Sequence, residues 1–294
     1  MTSNGILLVL LSAVLHAAWN LLAKSSDDSV GFLRKALFWA TICYLPVFVA
    51  FQFHMTYTPR YVVCVICSSL VMGFYAFNLS NAYMRGHVSV VYPLARSFPI
   101  LVLLAVTLFL GRAVAPIGVA GIILIVGGCF MLPWKKFRIG PDGFALRNYM
   151  NRSCFWAMGA ALCTAGYSLI DKYAAVGMST SGTWDAIVPK VNYVYIQIAG
   201  SWLIMELLVR RSNPPRKKTG VLKPLTVGII LVASYSLIIM AFVTNPVEYV
   251  VSLRQISVVL GAVFSMIFIE KHLSRPRLIG VLIIFAGIIL VGLA

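Results

Sequence analysis

Ten apolar segments of about 20 residues follow one another along the chain, and they constrain its fold more than any other feature. A helix of about 20 apolar residues is long enough to cross the hydrocarbon core of a bilayer. Inside lipid, only helices and closed barrels satisfy their own backbone hydrogen bonds. The sequence therefore predicts an all-α polytopic membrane protein. Its ten transmembrane helices are predicted near 4–23, 33–53, 61–83, 88–110, 114–132, 153–172, 186–209, 221–243, 247–269 and 275–293.

The composition agrees with a chain that lies almost entirely in the bilayer. Only 11% of its 294 residues are charged and 61% are hydrophobic, whereas a soluble domain carries about 25% charged residues. The longest polar stretches, 133–152 and 210–223, are loops too short for a separate soluble domain. The sequence has no P-loop, HExxH motif or nucleophile elbow. We therefore predict neither an enzyme nor an ATP-driven pump, and expect no cofactor.

The basic balance of the chain is interpreted as a membrane feature. The formal net charge is +16, but the lysines and arginines cluster at helix ends, as expected for topology signals and lipid head groups. Nucleic acid is therefore not an expected partner. Cys64 and Cys67 form a CxxC, yet no second CxxC and no nearby histidine complete a zinc set, so no metal site is predicted.

The two halves of the sequence repeat each other. The segment 16–24 (HAAWNLLAK) aligns with 164–172 (TAGYSLIDK), and 82–94 aligns with 241–253. Five helices per half is an odd number, so the second copy must be inverted in the membrane, as in many secondary transporters. We predict two inverted five-helix repeats, 1–150 and 151–294, around a central cavity.

The fourth predicted helix carries an arginine where a purely lipid-facing helix would not. Arg96 lies one turn from Tyr92 on one face, and Arg254 is its near counterpart in the ninth helix. An arginine near the bilayer centre costs at least ~2.5–3.5 kcal/mol on insertion scales, so both should face protein or water. A guanidinium binds carboxylate or phosphate. The alternative is a gate, closed when an arginine binds Glu248 or backbone carbonyls.

Two further helices carry polar faces. His16, Asn20 and Lys24 share one face of the first helix at i, i+4 and i+8. They predict either a cavity wall or a stripe of packing hydrogen bonds, with Lys24 reaching the head groups. In the sixth helix, Asp171 is interpreted either as a proton or ion-pair site or as a simple interfacial charge. Aromatic and amide side chains in the third and eighth helices suit a small-molecule pocket or packing.

These segments resemble the ten-helix, EamA-like branch of the drug/metabolite transporter superfamily. The resemblance rests on 16–24, 85–99 (RGHVSVVYPLARSFP), 167–172 (YSLIDK) and 246–264 (PVEYVVSLRQISVVLGAVF), and it covers nearly the whole chain. It implies alternating access and export of amino acids and other metabolites, or exchange of phosphorylated sugars. The implied cavity residues are His16, Trp19, Asn20, Tyr75, Asn78, Tyr92, Arg96, Tyr167, Ser168, Tyr235, Tyr249 and Arg254. Gating or ion-pair roles are predicted for Lys24, Asp171, Lys172 and Glu248.

Two departures from the family pattern affect the prediction. The end of the fourth helix commonly reads Gly-Glu-Arg in the family, whereas this chain has Gly111-Arg112. The first helix lacks the glutamate that the four-helix multidrug relatives use to bind cations and protons, and it carries His16 and Lys24 instead. This argues against a pump for lipophilic cations.

The sequence thus predicts a secondary transporter in a bacterial inner membrane, with the lipid bilayer and a small-molecule substrate as its partners. The substrate is predicted to be a small polar or anionic metabolite, such as an amino acid or organic acid, carried by an exporter or exchanger. A multidrug exporter and a non-transporting membrane scaffold are the alternatives. The charge bias favours external termini, whereas the resemblance implies cytoplasmic ones. Whether the chain forms a homo-oligomer stays open.

Overall fold

The chain folds into a bundle of helices in a computed structural model. The structure describes residues 1–24, 28–85, 88–140, 142–145, 149–178, 183–212, 220–261 and 274–294. Within them the side chains of residues 21, 23, 24, 88–90, 92, 183–185, 211 and 212 lie outside the description, and these include the predicted site residues Lys24 and Tyr92. The helices are α1 (Ser3–Lys24), α2 (Ser29–Phe51), α3 (Pro59–Arg85), α4 (Val88–Phe109), α5 (Pro116–Met131), α6 (Arg152–Gly177), α7 (Thr183–Ser212), α8 (Leu222–Phe242), α9 (Val247–Leu253) and α10 (Arg275–Leu293).

Helix boundaries follow local capping chemistry. The Asp28 carboxylate accepts a 2.8 Å hydrogen bond from the Gly31 amide at the start of α2. The Asn151 side chain accepts one of 3.0 Å from the amide of Cys154 at the start of α6. Both satisfy amides that have no partner inside the helix. Pro116 begins α5, a position where proline loses no helical hydrogen bond.

The ninth predicted span is not one continuous helix. The helix α9 ends at Leu253, the chain turns at Arg254 and Gln255, and helix resumes over 256–261. The remainder of the predicted span lies outside the described residues. The hydroxyls of Ser252 and Ser257 bond to the carbonyls of Glu248 and Arg254. These side-chain bonds flank the turn on both sides.

The surface of the bundle is apolar enough to face lipid. Among the described residues, seven helices are long and apolar enough to cross a membrane, and α4 and α5 carry shorter apolar stretches, Pro93–Phe109 and Pro116–Met131. Leu282 and Phe285 of α10 are exposed on one face, while Gly280 and Ile284 are buried on the other. Lipid tails solvate the exposed apolar side chains. The protein is therefore an integral membrane protein.

Helices from the two halves of the chain interlock. The bonded pairs Ser68–Asp171 and Asn78–Cys163 run in opposite order along α3 and α6, so these helices are antiparallel. Helices α1 and α8 also pack together, and they are antiparallel because Thr2 bonds to Asn245 and Ser12 to Ser234. In addition, α3 packs on α7 as α8 packs on α2, and α5 packs on α10.

The turn between α8 and α9 contacts one end of α1 and one end of α6. The Thr2 amide donates to the Asn245 side chain, and the Lys172 ammonium donates to the Asn245 carbonyl. The N-terminal end of α1 and the C-terminal end of α6 therefore lie at the same end of the bundle. Helices α1 and α6 consequently run in opposite directions.

Candidate functional site

Two neighbouring cavities lie between the helices of the two halves. The larger has a volume of about 50 Å³ and the smaller about 10 Å³, which is room for a few water molecules. Both are bordered by Tyr75, Leu79 and Arg254, so they adjoin. Seven of the sequence-predicted binding residues line one or both: His16, Trp19, Tyr75, Arg96, Tyr167, Tyr235 and Arg254.

The two arginines predicted from the repeat border the same cavity. Arg96 from α4 and Arg254 from the turn after α9 both line the smaller cavity, and Arg254 also lines the larger one. The side-chain amide of Gln255 donates to the Arg96 carbonyl across 3.3 Å, which joins α4 to this turn. The break in the ninth helix thus sets the position of Arg254.

Arg254 is a buried cation with a guanidinium donor that has no partner among the described residues. The residue is 6% exposed, and its guanidinium carbon lies 5.7 Å from the centre of the Tyr235 ring, within range of a cation–π contact. Its Nε has no hydrogen-bond partner among the described residues. A buried guanidinium N–H without a partner is costly, so an acceptor entering the cavity would be bound favourably.

His16 contributes a second buried donor. Its Nδ1 accepts a 3.0 Å hydrogen bond from the indole N–H of Trp19. Because an indole nitrogen can only donate, Nδ1 carries no hydrogen and the hydrogen of the neutral ring is on Nε2. Among the described residues, Nε2 has no partner. Trp19 therefore fixes the tautomer in which His16 acts as a donor at the larger cavity.

Three tyrosines form one wall of the larger cavity. The Tyr75 and Tyr167 rings meet edge to face with their centres 5.6 Å apart, and the Tyr167 and Tyr235 rings do so at 5.9 Å. Edge-to-face contacts hold such rings in fixed orientations. The wall joins α3, α6 and α8, so it crosses between the two halves of the chain.

Asp171 lies in a polar network behind this wall. It is 0% exposed, so the interpretation of an interfacial charge is wrong: α6 runs on to Gly177, five residues beyond the predicted end at 172, and carries the carboxylate inside the bundle. Its oxygens accept hydrogen bonds from Ser68, Tyr193, Gln197 and Tyr235. None of the salt bridges found among the described residues includes Asp171.

Sequence reasoning missed three of the four partners of Asp171. Tyr193 and Gln197 occupy i and i+4 of α7, and Ser201 follows at i+8. That polar stripe in an apolar helix is the signal that could have revealed them. Ser68 carries no such signal, since its neighbour Ser69 has the same side chain and bonds only to backbone carbonyls.

The remaining predicted charges contact helix ends rather than the cavities. The Lys172 ammonium donates to the carbonyls of Phe242 and Asn245 at 2.5 and 3.0 Å. These carbonyls lie at the C-terminal end of α8, where cations are stabilising. Glu248 accepts a 3.3 Å hydrogen bond from the hydroxyl of Thr107. Glu248 and Lys172 interact electrostatically, but they form none of the salt bridges among the described residues.

Four predicted binding residues do not border either cavity. The Asn20 amide bonds to the His16 carbonyl, and Asn78 packs on Cys163 between α3 and α6. Ser168 is fully buried, and the Tyr249 hydroxyl accepts a hydrogen bond of 3.1 Å from the Ala115 amide. Asn20, Asn78 and Tyr249 thus bond to other residues of the bundle, whereas the buried Ser168 hydroxyl has no hydrogen-bond partner among the described residues.

The bundle is apolar outside, and cationic and aromatic side chains surround a cavity inside it. This arrangement is typical of integral membrane proteins that transport small molecules. Residues 151–293, the second half of the chain, match the EamA-like transporter family. This half of the chain is therefore similar to members of that family, a branch of the drug/metabolite transporter superfamily. The match points to a membrane transporter.

Comparison with solved structures supports the fold. One solved structure, titled as a crystal structure of a protein, matches with a TM-score of 0.74 and 19% sequence identity. The match covers 100% of this chain and 99% of the other chain. At that identity, the likeness concerns the fold alone. No curated protein matches the sequence.

Proposed function

We propose that the protein is a secondary transporter that moves a small polar or anionic metabolite, such as an amino acid or organic acid, by alternating access. It acts as an exporter or exchanger in a bacterial inner membrane. The observation that carries the proposal is the pair of buried donors at the larger cavity, Nε2 of His16 and Nε of Arg254, which have no partner in the described part of the chain. With Arg96 beside Arg254, the lining favours a carboxylate or phosphate.

The packing of the helices supports two inverted halves, 1–150 and 151–294. The contact of α3 with α6 corresponds to that of α8 with α1, and the contact of α3 with α7 to that of α8 with α2. In the register that aligns 82–94 with 241–253, Gly121 corresponds to Gly280 and Gly128 to Gly287. In the structure Gly121 packs on Gly287, and Gly128 packs on Gly280. Each glycine of α5 therefore contacts the repeat counterpart of the other, as expected where a pseudo-twofold axis relates the two halves.

The small size of the cavities supports a mechanism in which helices move. A metabolite needs more space than a few water molecules, so substrate entry requires the helices around Tyr75 and Arg254 to separate. The interface between the halves is the natural place for this movement, because rocking of one repeat against the other opens a site at their junction.

Flux through liposomes reconstituted with purified protein tests the proposal. Arg254→Gln and Arg96→Gln should each reduce carboxylate flux by about tenfold or more, because removing one side of a buried charged contact costs about 2–5 kcal/mol. Arg112→Gln is the matched control, since Arg112 is exposed at the turn before α5. Its flux should equal that of wild type, and unfolding midpoints should show that all three variants fold.

Two outcomes would replace this proposal. Transport of cationic dyes that survives loss of both arginines would indicate a multidrug exporter. Absence of any flux, together with no ligand-dependent rise in the unfolding midpoint across a metabolite library, would indicate a membrane scaffold that does not transport. Wild-type carboxylate flux in both arginine variants would remove the arginines from the binding site.

A further inference from the structure

Asp171 forms a second buried polar site, separated from the cavities by the tyrosine wall. Its Oδ1 accepts hydrogen bonds from Ser68 at 2.5 Å and Tyr193 at 2.7 Å. Its Oδ2 accepts one from the Gln197 amide nitrogen at 3.0 Å and another from the Tyr235 hydroxyl. The partners come from α3, α7 and α8, so one carboxylate joins three helices to α6.

Two opposing effects act on this carboxylate. Complete burial favours the neutral acid, whereas four donated hydrogen bonds favour the ionised form. No described cation pairs with it directly. The ionised form is therefore held by uncharged hydrogen-bond donors alone among the described residues.

Gln197 supplies an acceptor that only the protonated state can use. Its Oε1 is buried without a partner among the described residues, while its Nε2 lies 2.5 Å from the Ser68 hydroxyl and 3.0 Å from Oδ2 of Asp171. A half-turn of the amide would exchange the two atoms. A protonated Asp171 could then donate to Oε1, and the Ser68 hydroxyl could do the same. The network therefore has one hydrogen-bonded arrangement for each protonation state.

We propose that Asp171 is a proton-binding site and that its protonation is linked, through Tyr235, to anion binding at Arg254. The anion half of this proposal rests on the proposed transport function. The groups that face Asp171 are Ser68 and the Cys64 thiol on α3, Tyr193 and Gln197 on α7, and Tyr235 on α8. Lys172, its neighbour in α6, binds the α8–α9 turn instead.

Tyr235 provides the route for the proton. Among the groups bonded to Asp171, it is the one that also lines the larger cavity. The Tyr235 hydroxyl hydrogen passes to Oδ2 of Asp171 while the tyrosine oxygen accepts a hydrogen from a cavity water. That water takes up a proton from the aqueous phase. The net change is one carboxylate plus one proton giving one carboxylic acid.

The sign of the linkage follows from the charges. Arg254 lies near the ring of Tyr235, whose hydroxyl donates to Asp171, and its positive charge makes that hydroxyl a stronger donor. A stronger donated hydrogen bond favours the ionised carboxylate. An anion bound to Arg254 neutralises that charge and makes protonation easier. Linkage is reciprocal, so protonation of Asp171 strengthens anion binding. Proton and anion should therefore occupy the protein together and cross the membrane in the same direction.

Infrared difference spectroscopy of the full protein in lipid nanodiscs tests the site without measuring transport. On acidification, the wild type should gain the carbonyl band of a buried carboxylic acid. The band should be absent in Asp171→Asn and unchanged in Glu248→Gln, the control at the buried carboxylate of α9. If Asp171→Asn fails to fold, wild-type protein with carbon-13 aspartate should still show the band shifted by the isotope.

Arg254 variants test the linkage. At a fixed pH, the protonated fraction should rise at least about fivefold in Arg254→Gln, the lower end of typical coupling between sites, and should remain near wild type in Arg254→Lys. A band that persists in Asp171→Asn, does not shift with labelled aspartate, or never appears would overturn the proton site. An equal protonated fraction in both Arg254 variants would overturn the linkage. Loss of all flux with the band intact would instead count against the proposed transport function.

Discussion

Gly121 of α5 and Gly287 of α10 pack backbone to backbone. A Cβ atom at Gly121 would stand 2.7 Å from the Gly287 carbonyl oxygen, and one at Gly287 would stand 2.6 Å from that of Gly121. Gly128 and Gly280 repeat the same contact farther along the crossing. Helix interfaces in membranes use such small residues because they allow backbones to approach closely. The crossing joins the last helix of each half.

The first prediction concerns this crossing. Gly121→Ala should lower the free energy of unfolding by about 1–3 kcal/mol, because overpacking forces the two backbones apart. Gly127→Ala is the control, since a Cβ there meets nothing within 4 Å. The control should be neutral or slightly stabilising, as alanine is preferred over glycine in a helix. Unfolding midpoints in nanodiscs measure both, and equal midpoints would contradict the close contact.

The second prediction concerns Ser68 and its neighbour Ser69. Ser68→Ala should destabilise the protein by about 1.5–3 kcal/mol, the contribution of a hydrogen bond to a charged group. Ser69→Ala should have a smaller effect, because the Ser69 hydroxyl bonds to the Val65 carbonyl of its own helix. Denaturant unfolding of both variants checks the difference. A larger loss in Ser69→Ala would show that Asp171 does not depend on Ser68.

The third prediction concerns Lys172 at the α8–α9 turn. Lys172→Met keeps an apolar stem but leaves the carbonyls of Phe242 and Asn245 without their donor. The unfolding free energy should fall by about 1–3 kcal/mol, the penalty for losing a hydrogen-bond partner of buried groups. Lys136→Met, in the exposed loop after α5, should have no effect. A stable Lys172→Met variant that loses flux would instead support a gating role.

The fourth prediction separates the donor role of His16 from its packing. His16→Phe should reduce carboxylate flux severalfold, because the ring is kept but the Nε2 donor is lost. His16→Gln should retain more flux, since its amide can still donate. Asn20→Ala is the control, as the Asn20 amide bonds to the His16 carbonyl and lines neither cavity. Equal flux in His16→Phe and wild type would exclude the donor role.

Much of the bundle could be predicted from the sequence because spanning lipid requires a length and an apolarity that are visible residue by residue. The predicted spans match α1 to α8 and α10 within a few residues at most boundaries. The break in the ninth span could not be predicted, because the sequence at Arg254 and Gln255 has no proline or glycine to signal a turn.

Within the candidate site, the sequence best predicted the charged residues that lie inside membrane spans. Arg96 and Arg254 do border one cavity, since a buried guanidinium needs a protein or water environment wherever it occurs in a span. Asn78 and Ser168 were harder to interpret, because a small polar group can satisfy itself between two helices or simply be buried. Helical spacing shows which side chains share one face of a helix, but it does not show which other helix packs against that face.

The sequence by itself determined that this chain crosses a membrane many times and that two arginines had to face inward, because lipid excludes charge and unsatisfied backbone at every position. Only the tertiary structure decided which polar groups meet. It brought Ser68, Gln197 and Tyr235 from three helices onto Asp171 and placed the ring of Tyr235 beside Arg254. Such meetings depend on the rotation and register of packed helices, which local composition does not specify.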